Sequence, residues 1–120
     1  MSKKKDEKED KSAKEPRASR PPKRHRVFIE RYPDLAKAWE LTAQAGAQGP
    51  IDPKTARLVK LGVAMGAMGE GAVRASVRKA VDLGLTREEI EQVVALAAGT
   101  VGLPSAVALH SWVLDELGED

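Results

Sequence analysis

Between Glu70 and Ile90 the chain reads Glu-Gly-Ala-Val-Arg-Ala-Ser-Val-Arg-Lys-Ala-Val-Asp-Leu-Gly-Leu-Thr-Arg-Glu-Glu-Ile. This run spells out a helix, its stop and the start of the next helix. Val73, Val77, Ala80 and Val81 form an apolar stripe, and Glu70, Arg74, Arg78 and Asp82 form a charged one at i,i+4 spacing. Gly84 suits the C′ position, where a left-handed backbone is needed. Thr86-Arg-Glu-Glu89 is a capping box, in which the Thr86 hydroxyl covers the N3 amide and Glu89 returns to the cap.

The same punctuation recurs along the chain. Pro33 fits the first turn of a helix, where its missing N–H costs nothing. Leu35, Ala38, Trp39 and Thr42 then share a face, and Gly46 with Gly49-Pro50 ends it. Asp52-Pro53 repeats the start signal. From Leu58 the following helix is apolar nearly all round, through Leu61, Val63, Met65 and Met68, which predicts a central, buried helix. Gly62 and Gly66, one turn apart, would admit a close neighbour. A fourth helix carries Ile90, Val93, Val94 and Ala97. Thr100 to Leu103 reads as a turn, and Pro104 opens a last helix with the apolar line Leu103, Val107, His110, Leu114 and Leu117. Period-two alternation never persists. The expected fold class is all-α, a bundle of about five to six helices.

The chain has 120 residues and no cysteine. A single domain is the prior. Disulfides, thiolate nucleophiles and cysteine metal sites are excluded together. Nothing points to an oxidising compartment or a secretory signal, so a cytoplasmic location is expected. The apolar run Leu61 to Gly69 is too short to span a bilayer.

The formal net charge of +2 divides unevenly, with +6 over residues 1–26 and −4 over residues 27–120. Residues 1–26 have no large apolar side chain beyond the initiating methionine and are rich in Lys, Glu, Ser and Pro. They are expected to form a disordered basic tail ahead of a helical domain over residues 27–120. The tail reads either as a solubilising arm or as an electrostatic contact to nucleic acid, an anionic membrane or another polyanion. The apolar helices of a body this small leave surface uncovered, and another copy of the chain is the simplest cover.

Several segments taken together, Tyr32-Pro-Asp-Leu35, Asp52-Pro-Lys-Thr-Ala-Arg-Leu-Val-Lys60, Glu70-Gly-Ala-Val73, Ala80-x-x-x-Gly84-x-Thr86-x-Glu88-Glu89-Ile90 and Gly102-x-Pro104, resemble the carboxymuconolactone decarboxylase family, with its AhpD-like fold. The resemblance spans about Phe28 to Leu117. It implies an all-α bundle assembled as homotrimers or homohexamers. Redox members of that family use Cys-x-x-Cys-x-x-x-His and an upstream glutamate as a thiol and proton relay. The corresponding positions here are Gly69, Ala72, Ser76 and Arg57, so the relay cannot run: thiol-disulfide exchange needs a thiolate. Cysteine-less relatives with Glu-Gly-Ala-Val-His-x-His are matched only through Val73, because Arg74 and Ser76 stand at the two histidine positions. An arginine holds anions but accepts no proton.

Each remaining candidate has two readings. His110, the one histidine of the body, is either a hydrogen-bonded packing residue or, if it lines a cavity, a general base. Glu70 is either a helix-start charge paired with Arg74 or an acid–base group. Arg57 and Lys60, one turn apart, are either solvated charge or an anion clamp, with Arg74 and Ser76 as further ligand contacts. No metal site and no cofactor are expected, since no ligand pair has convincing spacing. Three functions compete: a non-redox homo-oligomer that binds a small molecule, with an anion among the candidates, an active family enzyme of peroxidase or decarboxylase type with a non-thiol mechanism, and an oligomeric adaptor displaying basic tails to nucleic acid or another polyanion.

Overall fold

The described residues divide after Ile51 into two compact units, residues 23–51 and residues 52–118. That division lies inside the stretch 27–120 taken above as one domain. A computed structural model describes residues 23–118, and six helices with no strand account for them. Most of the expected tail lies outside the described residues. Its last four residues, Lys23 to Arg26, are helical and begin the first helix.

The first unit pairs α1 (Lys23–Arg31) with α2 (Pro33–Ala47). Pro33 stands in the first turn of α2, as its fixed φ favours. Neither helix contains a buried residue. Phe28, Ile29, Leu35, Ala38, Trp39 and Thr42 line an apolar groove of about 470 Å³ within this unit, so the four expected face-mates of α2 do share one face.

The second unit holds α3 (Pro53–Gly66), α4 (Glu70–Asp82), α5 (Arg87–Val101) and α6 (Leu103–Leu117). Helix α3 packs on α4 and α5, and α6 packs on the same two, so α3 and α6 occupy opposite corners of a four-helix bundle. The core between them is Leu61 and Met65 from α3, Val73, Val77 and Ala80 from α4, Ile90, Val93 and Val94 from α5, Ala106, Leu109 and Val113 from α6, and Leu85 from the α4–α5 loop. No described helix is long and apolar enough to cross a membrane.

The local signals for starts and stops hold. Asp52 accepts the Thr55 amide at 3.1 Å, and the Thr86–Glu89 box is closed by bonds of 2.8 and 3.1 Å. These bonds hold the Asp52 and Glu89 carboxyls below their ordinary values, the Thr55 hydroxyl leading for Asp52 and the Thr86 amide for Glu89. Both caps therefore contribute fully above the unfolded carboxylate range and are lost as pH falls through the lowered values. Gly84, at φ 85°, completes a Schellman turn in which the Leu85 amide reaches the Ala80 carbonyl. Gly84→Ala is expected to lower stability by about 1–2 kcal/mol, because a Cβ is penalised in this region. A urea titration of both chains checks it.

Two expectations about packing need correction. Helix α6 buries Ala106, Leu109 and Val113, whereas Leu103 and Val107 on the expected line are 73% and 62% exposed. Helix α3 is not enclosed all round within its own unit: Leu61 and Met65 are buried, but Val59 and Val63 face outward. Of its two glycines, a Cβ on Gly62 would meet Val93 Cγ1 at 3.8 Å, while one on Gly66 would meet nothing within 4 Å.

Candidate functional site

The contact between α3 and α4 holds Arg57, one of two arginines whose buried Nε has no partner among the described residues. Ser76, on the inner side of α4, is 4% exposed. Its Oγ accepts a hydrogen bond from Arg57 Nη1 of α3 at 3.3 Å. Arg57 Nε is buried and has no hydrogen-bond partner among the described residues. Burial also pulls the Arg57 guanidinium below its ordinary value, the sign that its charge is poorly solvated. Lys79 lies one turn beyond Ser76 on α4. Its ammonium is held below its ordinary value first by burial and then by the repulsion of Arg57, Lys60 and Arg78. Among the described residues, neither Arg57, Lys60 nor Lys79 has a carboxylate within 4.0 Å.

The other basic residues of α4 are placed differently. Arg74 donates to Glu70 at 3.0 Å, to Asp115 at 2.9 Å and to Glu116 at 3.2 Å, and Arg78 donates to the second oxygen of Glu116 at 2.9 Å. The bond to Asp115 leads in holding the Arg74 guanidinium above its ordinary value. Arg74 and Glu70 therefore belong to a clamp between α4 and α6, away from the Arg57–Ser76 pair. Glu116, half-buried between two arginines, is its keystone. Glu116→Ala is expected to lower stability by about 1–2 kcal/mol, and Asp115→Ala, more exposed, by less than about 1 kcal/mol. Thermal melts at low and high salt check both, since screening shrinks the more exposed contribution first.

His110 meets a third environment. Its Nε2 lies 2.8 Å from Glu91 Oε1 across the α5–α6 contact, and Arg87 approaches the other Glu91 oxygen at 3.6 Å. A carboxylate so placed fixes the imidazole's orientation, and in the tautomer that donates Nε2–H to Glu91 it leaves Nδ1 as the ring's acceptor nitrogen. A groove of about 560 Å³ opens between α3 and α5, lined mainly by Leu58, Val59, Gly62, Val93, Leu96 and Ala97. None of the six candidate residues lines it. Among the described residues, no three His, Asp or Glu side chains gather in a group that could hold a metal ion.

Of the six residues singled out by sequence, the structure joins Arg57 to Ser76, places Lys60 close enough to act on Lys79, pairs Glu70 with Arg74, and leaves His110 with a partner of its own. Sequence reasoning missed Lys79, Glu91, Asp115 and Glu116. Lys79 was open to discovery from its i+3 spacing to Ser76. The carboxylates of α6 sit 41 and 42 residues from Arg74 and leave no local signal.

The relay positions can now be compared in space. A Cβ built on Gly69, the N-cap of α4, would lie 3.6 Å from the Ala72 Cβ. Ser76 follows one turn later on the same helix, and Arg57 reaches it from α3. A family model for carboxymuconolactone decarboxylases matches residues 33–115. The chain belongs to the carboxymuconolactone decarboxylase family. Neither the curated proteins nor the solved structures contain a match to it. As a carboxymuconolactone decarboxylase family member it has no cysteine, so thiol-disulfide exchange is closed to this chain.

Proposed function

We propose that this protein is a family member without redox chemistry that binds a small anion at the α3–α4 contact and acts as a homo-oligomer. The observation that carries the reading is Arg57. Its Nε–H is buried without an acceptor, an arrangement that costs on the order of 1–3 kcal/mol or more for a charged group. Lys60 and Lys79 add positive charge that no carboxylate within 4.0 Å offsets among the described residues. A bound anion would satisfy the orphan donor and relieve the repulsion at once. Arg74 is not included, because three carboxylates already take its donors.

The oligomer rests on a different feature. Val59 and Leu96 on the α3–α5 groove, and Val63 beside them, are more than half exposed. A contiguous apolar face of this kind calls for cover.

Calorimetric titration of the full chain with a panel of small inorganic and carboxylate anions tests the site. At least one is expected to bind, and Arg57→Gln is expected to weaken it by more than about tenfold, the loss of roughly one charge-assisted pair. Absence of binding across the panel, or equal binding by the variant, rules the reading out.

A further inference from the structure

The chemistry of the α3–α4 site also narrows what it holds, an inference that rests on the anion reading above. The donors offered there outnumber what a carboxylate can use. On Arg57, Nη1 is occupied by Ser76, which leaves the Nε and Nη2 side of the guanidinium. That side is the fork that pairs with two oxygens of one anion. The Nε–H is buried without an acceptor among the described residues, so a ligand oxygen reaches it only when the guanidinium turns toward the ligand. The Ser76 hydroxyl accepts from Arg57, and no acceptor for its own proton is found among the described residues. It therefore keeps a donor in hand. Lys60 and Lys79, both exposed, add positive charge from the two helices, each one turn along its helix from a member of the Arg57–Ser76 pair.

The count of charges gives the same answer. Arg57, Lys60 and Lys79 carry three positive charges with no carboxylate within 4.0 Å among the described residues, while Arg78 is turned to Glu116. A monoanion meets one of the three. Paired with the arginine fork, a carboxylate keeps a further lone pair on each oxygen, but its single charge is then met and two positive charges are left without a counterion. A tetrahedral dianion meets two charges and has oxygens left for the hydroxyl and the ammonium groups. We propose that the ligand of this site is a doubly charged tetrahedral oxyanion of the phosphate class, either inorganic phosphate or the phosphate group of a monoester.

The test is a calorimetric titration of the full chain at pH 8 and low salt with inorganic phosphate, sulfate and acetate. The same titrations are run on Arg57→Gln, Ser76→Ala and Lys79→Gln, with far-UV circular dichroism confirming that each variant is folded. Phosphate and sulfate are expected to bind at least about tenfold more tightly than acetate, one factor of ten for the additional neutralised charge. Lys79→Gln is expected to weaken phosphate severalfold and to leave acetate almost unchanged, and Ser76→Ala is expected to weaken phosphate severalfold. Arg57→Gln is expected to remove both. Acetate binding as tightly as phosphate, with both lost in Arg57→Gln, overturns the phosphate class and leaves the anion site standing. Equal losses for phosphate and acetate in Lys79→Gln also overturn the charge-matching argument. If no anion binds, or if Arg57→Gln changes nothing, the class and the site fall together. Glycerol phosphate, added as a fourth ligand, separates a monoester from free phosphate: a site shaped for a monoester binds it more tightly than phosphate, and one for the free ion binds it less well.

Discussion

Leu109→Ala is expected to destabilise the protein by about 2–5 kcal/mol, the range for removing a fully enclosed leucine side chain. Leu109 is inaccessible to solvent at the centre of α6, the helix that packs on both α4 and α5. A unit of this size has only roughly 3–10 kcal/mol of stability to lose, taking about 0.05–0.15 kcal/mol per residue. The variant therefore sits near the edge of folding. Val81→Ala, on the exposed margin of α4, is expected to change stability by less than about 0.5 kcal/mol. Urea unfolding of the two variants at one protein concentration separates the cases. A loss below about 1 kcal/mol for Leu109→Ala would mean that α6 docks through its Leu103–Val107 side instead.

Leu96→Asp is expected to convert an oligomer into 12.9 kDa chains. Leu96 is 71% exposed on α5 and Val63 is 68% exposed on α3. An aspartate at position 96 is well hydrated in the free chain and strands a charge in any assembly that covers this face. The desolvation cost is several kcal/mol per ion, and in a symmetric assembly every copy carries it. Sedimentation velocity at micromolar concentration reads the mass, and far-UV circular dichroism reports whether helix content is kept. A wild-type chain that sediments as a folded monomer would refute the oligomer, and a variant that keeps the wild-type mass would move the interface elsewhere.

What the sequence made legible was whatever a few neighbouring residues decide. Asp52 with Thr55, Thr86 with Glu89, and Gly84 each act within one helical turn, and each stands where its local chemistry requires. Glu70 with Arg74 belongs to the same class. Helix α6 was harder because it is apolar over most of its circumference. Two stripes, Leu103–Val107–His110 and Ala106–Leu109–Val113, compete at the same period, and only packing against α4 and α5 selects the second. The partly exposed face of α3 is a similar case, since composition says how apolar a helix is and not how many neighbours one chain can supply. In the site, Arg57 and Ser76 could be named through the family's spacing. Their bond, the orphaned Nε and the separate capture of Arg74 by the end of α6 depend on residues 19 to 42 positions apart.

The close approach at the start of α4 has a consequence for engineering. The 3.6 Å between a Cβ on Gly69 and the Cβ of Ala72 falls inside the spacing of about 3.5–4.5 Å that a disulfide requires. The turn leading into it is held by the Gly69 amide on the Ala64 carbonyl and by Met68 at φ 53°, contacts that involve no side-chain chemistry. The backbone thus holds the two Cβ positions at that spacing with glycine and alanine in place. Sulfur could be installed at those two positions without rebuilding the loop, and the chain could serve as a blank on which the contribution of each relay group is measured one addition at a time.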